Sequence, residues 1–426
     1  MNSRRAEIIL ASVLYGIAGY MVAARGAYYR IYWYPAWIAL ALLFSTWLIF
    51  RIFGTLKSSP LPLPLLIPPI VFAVLALSSG LDSIKPEASR FELLRLAGLL
   101  MIYFLGAQLF QEAGLRKGWL WFLAALGFGE ALFGLIQYSH GDYLFRLPGL
   151  PYRPPFWAVS GTFQDYNNFA GLMELSIFPA LALLGLPRRR TDGRLANALA
   201  QWLVLSLPVA VMIAALALSI SRAGWVSAAA GLFVFAGLTM PWRRMTTATW
   251  VLLVIVLFAG ALATVSLLDR SLLKSRAQTV ADAVTGKDLK PIASRVMIWQ
   301  ISRRMIEDRP WLGVGPGAYV SAFPSYRSEG AQFTATLAHN DFLHLAAEDG
   351  LPAAAAWAAW IAAAWVMGLK AFLRTRDPLR AAGLAAIAAV MCHGIVATHF
   401  QIPGLAALLV LMMAAVVSRP GEGAKP

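Results

Sequence analysis

Long apolar runs alternate with short polar connections along almost the whole chain. Three of these runs, at residues 203–220, 248–268 and 353–369, contain no charged residue. At about 1.5 Å per helical residue, each run approaches the thickness of the hydrocarbon core of a bilayer. The pattern predicts about twelve membrane-spanning helices. They are expected near residues 7–24, 35–53, 63–80, 93–113, 118–138, 168–187, 196–219, 223–241, 248–268, 351–372, 381–399 and 403–417.

The composition agrees with a membrane protein. Of the 426 residues, 59% are hydrophobic and 13% are charged, which is too apolar for a soluble chain of this length. We therefore expect an all-α integral membrane protein that forms a single polytopic domain over residues 1–426. Cys392 is the one cysteine, so neither an intrachain disulfide nor a cysteine-rich metal site can form.

The basic residues indicate a membrane topology. A net charge of +15 is also a feature of nucleic-acid-binding proteins, but the basic residues here fall in short clusters between apolar runs, and nucleic acid is not expected as a partner. Both termini are placed in the cytoplasm because the connections on that side then hold most of the arginines and lysines. Residues 269–350, the longest polar segment, then form one large loop on the outer face.

Two arginines could bind an anion near the membrane surface. Arg222, in the segment Ser221-Arg222-Ala223-Gly224-Trp225, would lie at the outer end of two long apolar runs. Such a residue either faces a cavity or an anion, or extends to the outer lipid headgroups. Arg295 shares an amphipathic stretch with Trp299 and several further arginines. Paired guanidiniums suit a diphosphate without a metal, although a basic helix resting on anionic lipid would show the same pattern.

A histidine-rich stretch precedes the span at 351–372. His339 and Asn340 stand at the expected start of a helix, and His344 and Glu348, four residues apart, would share one face of it. A histidine suits a general base acting on a sugar hydroxyl, and the alternative is a capped helix start with a solvated histidine. No third ligand has metal-ligand spacing, so no metal is expected.

A fourth polar segment, Gly161 to Asn168, closes the connection before the sixth predicted span. Asn167 and Asn168 could cap that helix, while Asp165 could orient a base or a sugar. The remaining histidines, His140, His393 and His399, lack such polar neighbours in the sequence and are expected to be structural.

These segments together resemble the bacterial O-antigen ligase and polymerase superfamily, which includes protein O-oligosaccharyltransferases. The resemblance runs in order through GTFQDYNN, SRAGW, SRVMIW, GVGPG and AHNDFLHLAAEDG and covers about residues 125–370. It implies a GT-C-like, inverting, metal-independent glycosyltransferase with no cofactor, in the bacterial inner membrane. The glycan would move from undecaprenyl diphosphate to an acceptor at the periplasmic face.

The resemblance also implies roles for individual residues. Arg222 and Arg295 would hold the diphosphate, and His339 would activate the acceptor or stabilise the departing group. Asn340, Asp165, Asn168, Trp299, His344 and Glu348 are expected to support the site. The family commonly has asparagine at the position of Asp165.

The arginine spacing and the lack of a large C-terminal soluble domain favour an O-antigen ligase, whose acceptor is the lipid A core. An O-antigen or exopolysaccharide polymerase would use the same residues on another lipid-linked glycan. A transporter or lipid flippase would show inverted repeats, interrupted helices in matching halves and ionisable groups near mid-membrane, whereas this sequence shows no paired halves and its polar residues gather on one side. A purely structural scaffold would leave the ordered arginine and histidine segments unexplained.

Overall fold

The computed structural model describes residues 3–56, 61–140, 158–163, 165–184, 195–240, 290–327 and 333–418. These residues form thirteen α-helices joined by turns and loops, and they contain no β-strand. The helices are α1 (Ser3–Ala23), α2 (Arg30–Ile52), α3 (Leu63–Leu81), α4 (Pro86–Leu109), α5 (Ala113–His140), α6 (Tyr166–Leu184), α7 (Leu195–Leu218), α8 (Arg222–Thr239), α9 (Lys290–Asp308), α10 (Tyr319–Tyr326), α11 (Asp341–Thr375), α12 (Pro378–His393) and α13 (Pro403–Val417).

The predicted all-α membrane fold is confirmed. Seven helices in the described part of the chain are long and apolar enough to cross a bilayer: α1, α2, α3, α4, α5, α8 and α11. The apolar helices α12 and α13 are shorter. The predicted span at 168–187 lies on α6, and the one at 248–268 falls outside the described residues, so the total of twelve stays a prediction.

Several predicted spans have different limits in the structure. The helix that contains the span expected at 93–113 already begins at Pro86. Its first turns carry charged residues that lower the local hydropathy, so the apolar pattern did not include them. The span expected at 381–399 ends at His393. There the chain turns, and the carbonyl of Gly394 accepts a hydrogen bond of 2.8 Å from the backbone N–H of Asp341.

The centre of the bundle is α13, in which all fifteen residues are buried. A helix that is apolar on every side is stable only when other helices surround it, and α13 packs against α1, α4, α11 and α12. Small residues permit this close packing: a Cβ at Gly106 would lie 2.8 Å from Leu411 Cδ2, and one at Gly383 would overlap Val416.

Spans that are joined by short connections alternate in direction. One end of the bundle carries the connections 24–29, 82–85, 219–221 and 394–402 and the segment 158–163 before α6, and we call it the site end. At about 1.5 Å per residue, α12 and α13 are shorter than a hydrocarbon core of about 30 Å. The connection between them is largely buried within the protein, where non-helical backbone is tolerated at membrane depth.

The described part of the long loop forms a second, smaller core. Helices α9 and α10 pack together through side chains such as Ile301, Met305, Tyr319 and Phe323, and this cluster includes Ala347 at the start of α11. The amphipathic stretch that contains Arg295 and Trp299 corresponds to α9, and the helix predicted to start near Asn340 corresponds to α11. The loop core is thus fixed directly to a membrane helix.

Candidate functional site

The segments around Asp165 and Arg222 are joined by a hydrogen bond. The hydroxyl of Ser221 donates to the Oδ1 atom of Asn167 at 2.8 Å. The same hydroxyl accepts from the backbone N–H of Gly224 at 3.1 Å and so caps α8. Arg222 is the first residue of that helix, and its side chain is exposed. The two polar segments therefore meet at the site end.

The cap of α6 differs from the prediction. Asp165 Oδ1 accepts a hydrogen bond of 2.6 Å from the backbone N–H of Asn167, so the cap is Asp165 and neither asparagine. The side chain of Asn167 is instead used to hold Ser221. Asn168 lies in the first turn of α6 and is partly buried.

Two non-glycine residues beside the candidate site have left-handed backbone. Ile220 has a φ of 62° and precedes Ser221 and Arg222, and His339 itself has a φ of 50°. This conformation costs about 1–2 kcal/mol for an L-residue and is most unusual for a β-branched one. Such strain persists only where surrounding contacts enforce it, and it is concentrated at functional sites.

The backbone before His339 is held from two sides. The indole N–H of Trp299 donates to the carbonyl of Ala338 at 3.0 Å, and the backbone N–H of Ala338 donates to His344 Nδ1 at 3.3 Å. Ala338 is completely buried. Trp299 and His344, both predicted to support the site, therefore fix the position from which the His339 side chain leaves the backbone.

His344 is itself oriented by Glu348. Because its Nδ1 accepts from Ala338, the proton of a neutral His344 ring lies on Nε2, which is 3.4 Å from Glu348 Oε2. The other oxygen of Glu348 accepts from the backbone N–H of Tyr319 at 2.9 Å. The predicted shared face of His344 and Glu348 is confirmed, and both side chains are buried. This pair connects the loop core to the backbone that carries His339.

The glycine-rich segment Gly313–Gly317 forms a turn that seats the loop on α11. The backbone N–H groups of Val314 and Gly315 donate to the carbonyls of Ala347 and Glu348 at 2.9 and 2.8 Å. Gly313 has a φ of 66°, and a Cβ at this position would overlap the Glu348 carbonyl. Only glycine allows this approach.

Asn340 and Asp341 join α11 to the connection between α12 and α13. The side chain of Asn340 caps α11 by accepting from the N–H of Leu343 at 3.0 Å. The buried carboxylate of Asp341 accepts from the backbone N–H groups of His399 and Phe400 at 3.2 and 3.1 Å. Sequence analysis missed Asp341, whose neighbours in the chain gave no sign of its distant partners.

A buried histidine and carboxylate pair lies beneath this connection. His393 Nδ1 and Glu174 Oε1 are 2.7 Å apart, and neither residue is exposed. The ring of His399 stands at 88° to that of His393, and its Nε2 lies 3.2 Å from the carbonyl of Asn167. One feature of the sequence indicates this pair, because Glu174 is an isolated charge within an apolar run. His393 and His399 thus have polar neighbours that only folding provides.

Electrostatics connect His339 to two other predicted residues. Burial lowers the pKa of His339, the charge of Arg295 lowers it further, and the charge of Asp165 acts in the opposite direction. A lowered pKa keeps the imidazole neutral near pH 7, as a base requires. Arg295 is partly buried on α9. The structure thus brings Arg295, Asp165 and His339 together, while Arg222 lies at the same end through its link to Asn167.

Residues that could hold a metal ion form no cluster in the described ranges. No group of three or more histidine, cysteine, aspartate or glutamate side chains there has suitable positions.

Comparison with known protein families adds an independent observation. Residues 207–358 match the family model described as O-antigen ligase. This match confirms the predicted resemblance to the O-antigen ligase superfamily. It covers roughly a third of the chain and includes Arg222, Arg295 and His339, whereas Asp165 and Asn168 lie outside it. No curated protein matches the chain.

Within the O-antigen ligase match, α9 and the start of α11 carry Trp299 and His344, which hold the backbone beside His339. The neighbouring helices α3, α6 and α12 supply contacts that fix α8 and α11 in the membrane bundle.

Proposed function

We propose that the protein is an O-antigen ligase that transfers a glycan from undecaprenyl diphosphate to the lipid A core. The site end would face the periplasm of a bacterial inner membrane, and both termini would lie in the cytoplasm. The family match supports the general class of reaction. The observation that carries the proposal is the backbone beside His339, which Trp299 and His344 hold through Ala338, together with the charge of Arg295 that acts on this histidine.

The proposed reaction is a displacement at the anomeric carbon of the glycan. A hydroxyl oxygen of the acceptor attacks this carbon, the bond from the carbon to the diphosphate oxygen breaks, and the configuration inverts. His339 accepts the proton of the hydroxyl. The diphosphate leaves with its electron pair, and its negative charge is stabilised by Arg222 and Arg295.

The contacts of the site agree with these roles of the histidine and the arginines. Diphosphate is already a good leaving group, so catalysis depends mainly on charge neutralisation and on positioning one hydroxyl. Trp299, His344 and Glu348 hold the backbone beside His339 and would keep its imidazole correctly placed. A positioned base contributes about 10²–10⁴-fold to such a reaction.

The position of the site suits amphiphilic substrates. The connection between α12 and α13 is buried within the bundle, and Asp341 joins it to the first turn of α11. Two lipid-linked substrates in the outer leaflet would then reach the arginines sideways from the membrane, which explains cationic groups close to membrane depth.

Binding and chemistry can be separated with purified variants. Arg222→Lys and Arg295→Lys keep a positive charge but lose the planar paired donors, so we expect weaker binding of undecaprenyl diphosphate and a large loss of transfer. His339→Ala should bind this lipid normally and lose turnover. Near wild-type transfer by both Arg222→Lys and His339→Ala would contradict the proposal.

Ligase and polymerase functions differ in what accumulates when the protein is absent. Cells without a ligase should accumulate long glycans on undecaprenyl diphosphate, whereas cells without a polymerase should accumulate single repeat units. We expect the long glycans, measured by mass spectrometry of extracted lipids. Single units would identify the protein as a polymerase with the same catalytic residues.

A further inference from the structure

The turn between α1 and α2 has an unusual backbone. Arg25, Gly26 and Ala27 have φ values of 60°, 68° and 53°, so three consecutive residues are left-handed. Glycine adopts this conformation readily, but arginine and alanine do so at a cost in free energy. A strained backbone at two non-glycine positions indicates that contacts elsewhere hold the turn in place.

Those contacts come from three segments that form the candidate site. The hydroxyl of Thr162, three residues before Asp165, donates to the carbonyl of Val22 at 3.0 Å. A Cβ placed on Gly26 would lie 2.6 Å from Ile402 and 2.9 Å from Phe163. The turn therefore packs between the segment that leads to Asp165 and the connection that binds Asp341.

The third contact comes from the loop that leads to His339. The side chain of Tyr28 lies beside that of Thr336, three residues before His339. Arg25 therefore belongs to a turn on which all three segments converge, although it lies far from them in the sequence and outside the family match.

The side chain of Arg25 has unused hydrogen-bonding capacity. Its Nη1 atom is buried and has no hydrogen-bond partner among the residues that the structure describes. A buried guanidinium donor is costly to leave unpaired, since a charged donor loses its water without gaining another partner. An anion that enters the site would satisfy it.

We propose that Arg25 is a third substrate-binding arginine, which contacts a phosphate or carboxylate group of a substrate. This inference rests on the proposed transferase function. The anionic group belongs either to the diphosphate of the donor or to the acidic groups of the acceptor, and the two sources share the planar, paired recognition that a guanidinium provides.

The test uses full-length protein in nanodiscs with purified undecaprenyl-diphosphate-linked glycan and lipid A core. In Arg25→Gly, we expect the KM for one of the two substrates to rise about 10- to 100-fold, as for loss of a hydrogen bond to a charged group. The thermal stability should stay equal or rise, because glycine relieves the left-handed strain. A purely structural Arg25 predicts the opposite: lower stability and unchanged KM.

Ala27→Gly is the matched control. It makes the same backbone change in the same turn, at a φ of 53°, without altering charge, so both KM values should remain at the wild-type level. Arg25→Lys should recover only part of the lost affinity, because it restores charge without the paired donors.

The outcomes separate the two proposals. A raised KM for the donor places the anion on the diphosphate, and a raised KM for the acceptor places it on the lipid A core. If wild-type protein transfers glycan and Arg25→Gly matches it for both substrates, the assignment of Arg25 is wrong and the transferase function stands. If wild-type protein neither transfers glycan nor binds undecaprenyl diphosphate, both proposals fall.

Discussion

Replacing Trp299 by phenylalanine removes one hydrogen-bond donor beside His339 and keeps an aromatic ring in its place. In the wild-type protein, the indole N–H donates to the carbonyl of Ala338 at 3.0 Å. Ala338 is fully buried, so its carbonyl would lose this partner without access to bulk water. An unsatisfied buried group of this kind costs about 1–3 kcal/mol.

This cost is comparable to the strain energy of the backbone that the hydrogen bond holds in place. The left-handed backbone of His339, with a φ of 50°, costs about 1–2 kcal/mol. If the bond to Trp299 holds this conformation, its loss reduces the population of the competent state by about 5- to 150-fold. We therefore expect kcat of Trp299→Phe to fall within this range, with an unchanged KM for the donor because the arginines are untouched.

A second tryptophan provides a matched control. Trp365 donates from its indole N–H to the carbonyl of Leu384 at 3.1 Å, within the spans α11 and α12. Trp365→Phe should lower thermal stability by a similar amount and leave kcat unchanged. Steady-state transfer and thermal unfolding would be measured on both variants. Equal kcat values for Trp299→Phe and the wild type would refute the view that this bond positions His339.

Three further predictions address the base, metals and topology. Because the pKa of His339 lies below its ordinary value of about 6.5, the acid limb of the pH profile of kcat should have its midpoint below that pH. Arg295→Gln removes one cause of this lowering, so the midpoint should move to higher pH. A midpoint that stays in place would argue against His339 as the base. Transfer should survive EDTA, since arginines can neutralise the diphosphate, and a loss restored by one divalent metal would contradict that mechanism. A cysteine at the exposed position Ser325, in a Cys392→Ala background, should react with impermeant maleimide in intact spheroplasts, whereas labelling only after lysis would reverse the topology.

The sequence alone determined the elements that depend on local pattern. Apolar runs placed the membrane helices, and amphipathic spacing placed α9, because burial of an apolar face is encoded in the order of residues along one helix. The i, i+4 spacing of His344 and Glu348 predicted their contact, and the polar residue before α11 predicted its start. These features need no partner from elsewhere in the chain.

The candidate residues were also predicted from the sequence, but only through motifs whose members are far apart in the chain. Arg295 and His339 were proposed to act together, and the structure places them within electrostatic range. Asp165 was proposed to orient a base or a sugar, and its charge acts on His339. Asp165 also caps α6, a role that was predicted for Asn167 and Asn168.

Only the tertiary structure decided which groups hold the site in place. The bond from Trp299 to Ala338 spans 39 residues, and that from His399 to Asp341 spans 58. The left-handed backbone of His339 follows from such contacts, since the local sequence does not favour it. Pattern along the chain records which face of a helix is apolar, whereas the partners of a buried polar group depend on which helices become neighbours, and that is settled only when the bundle packs.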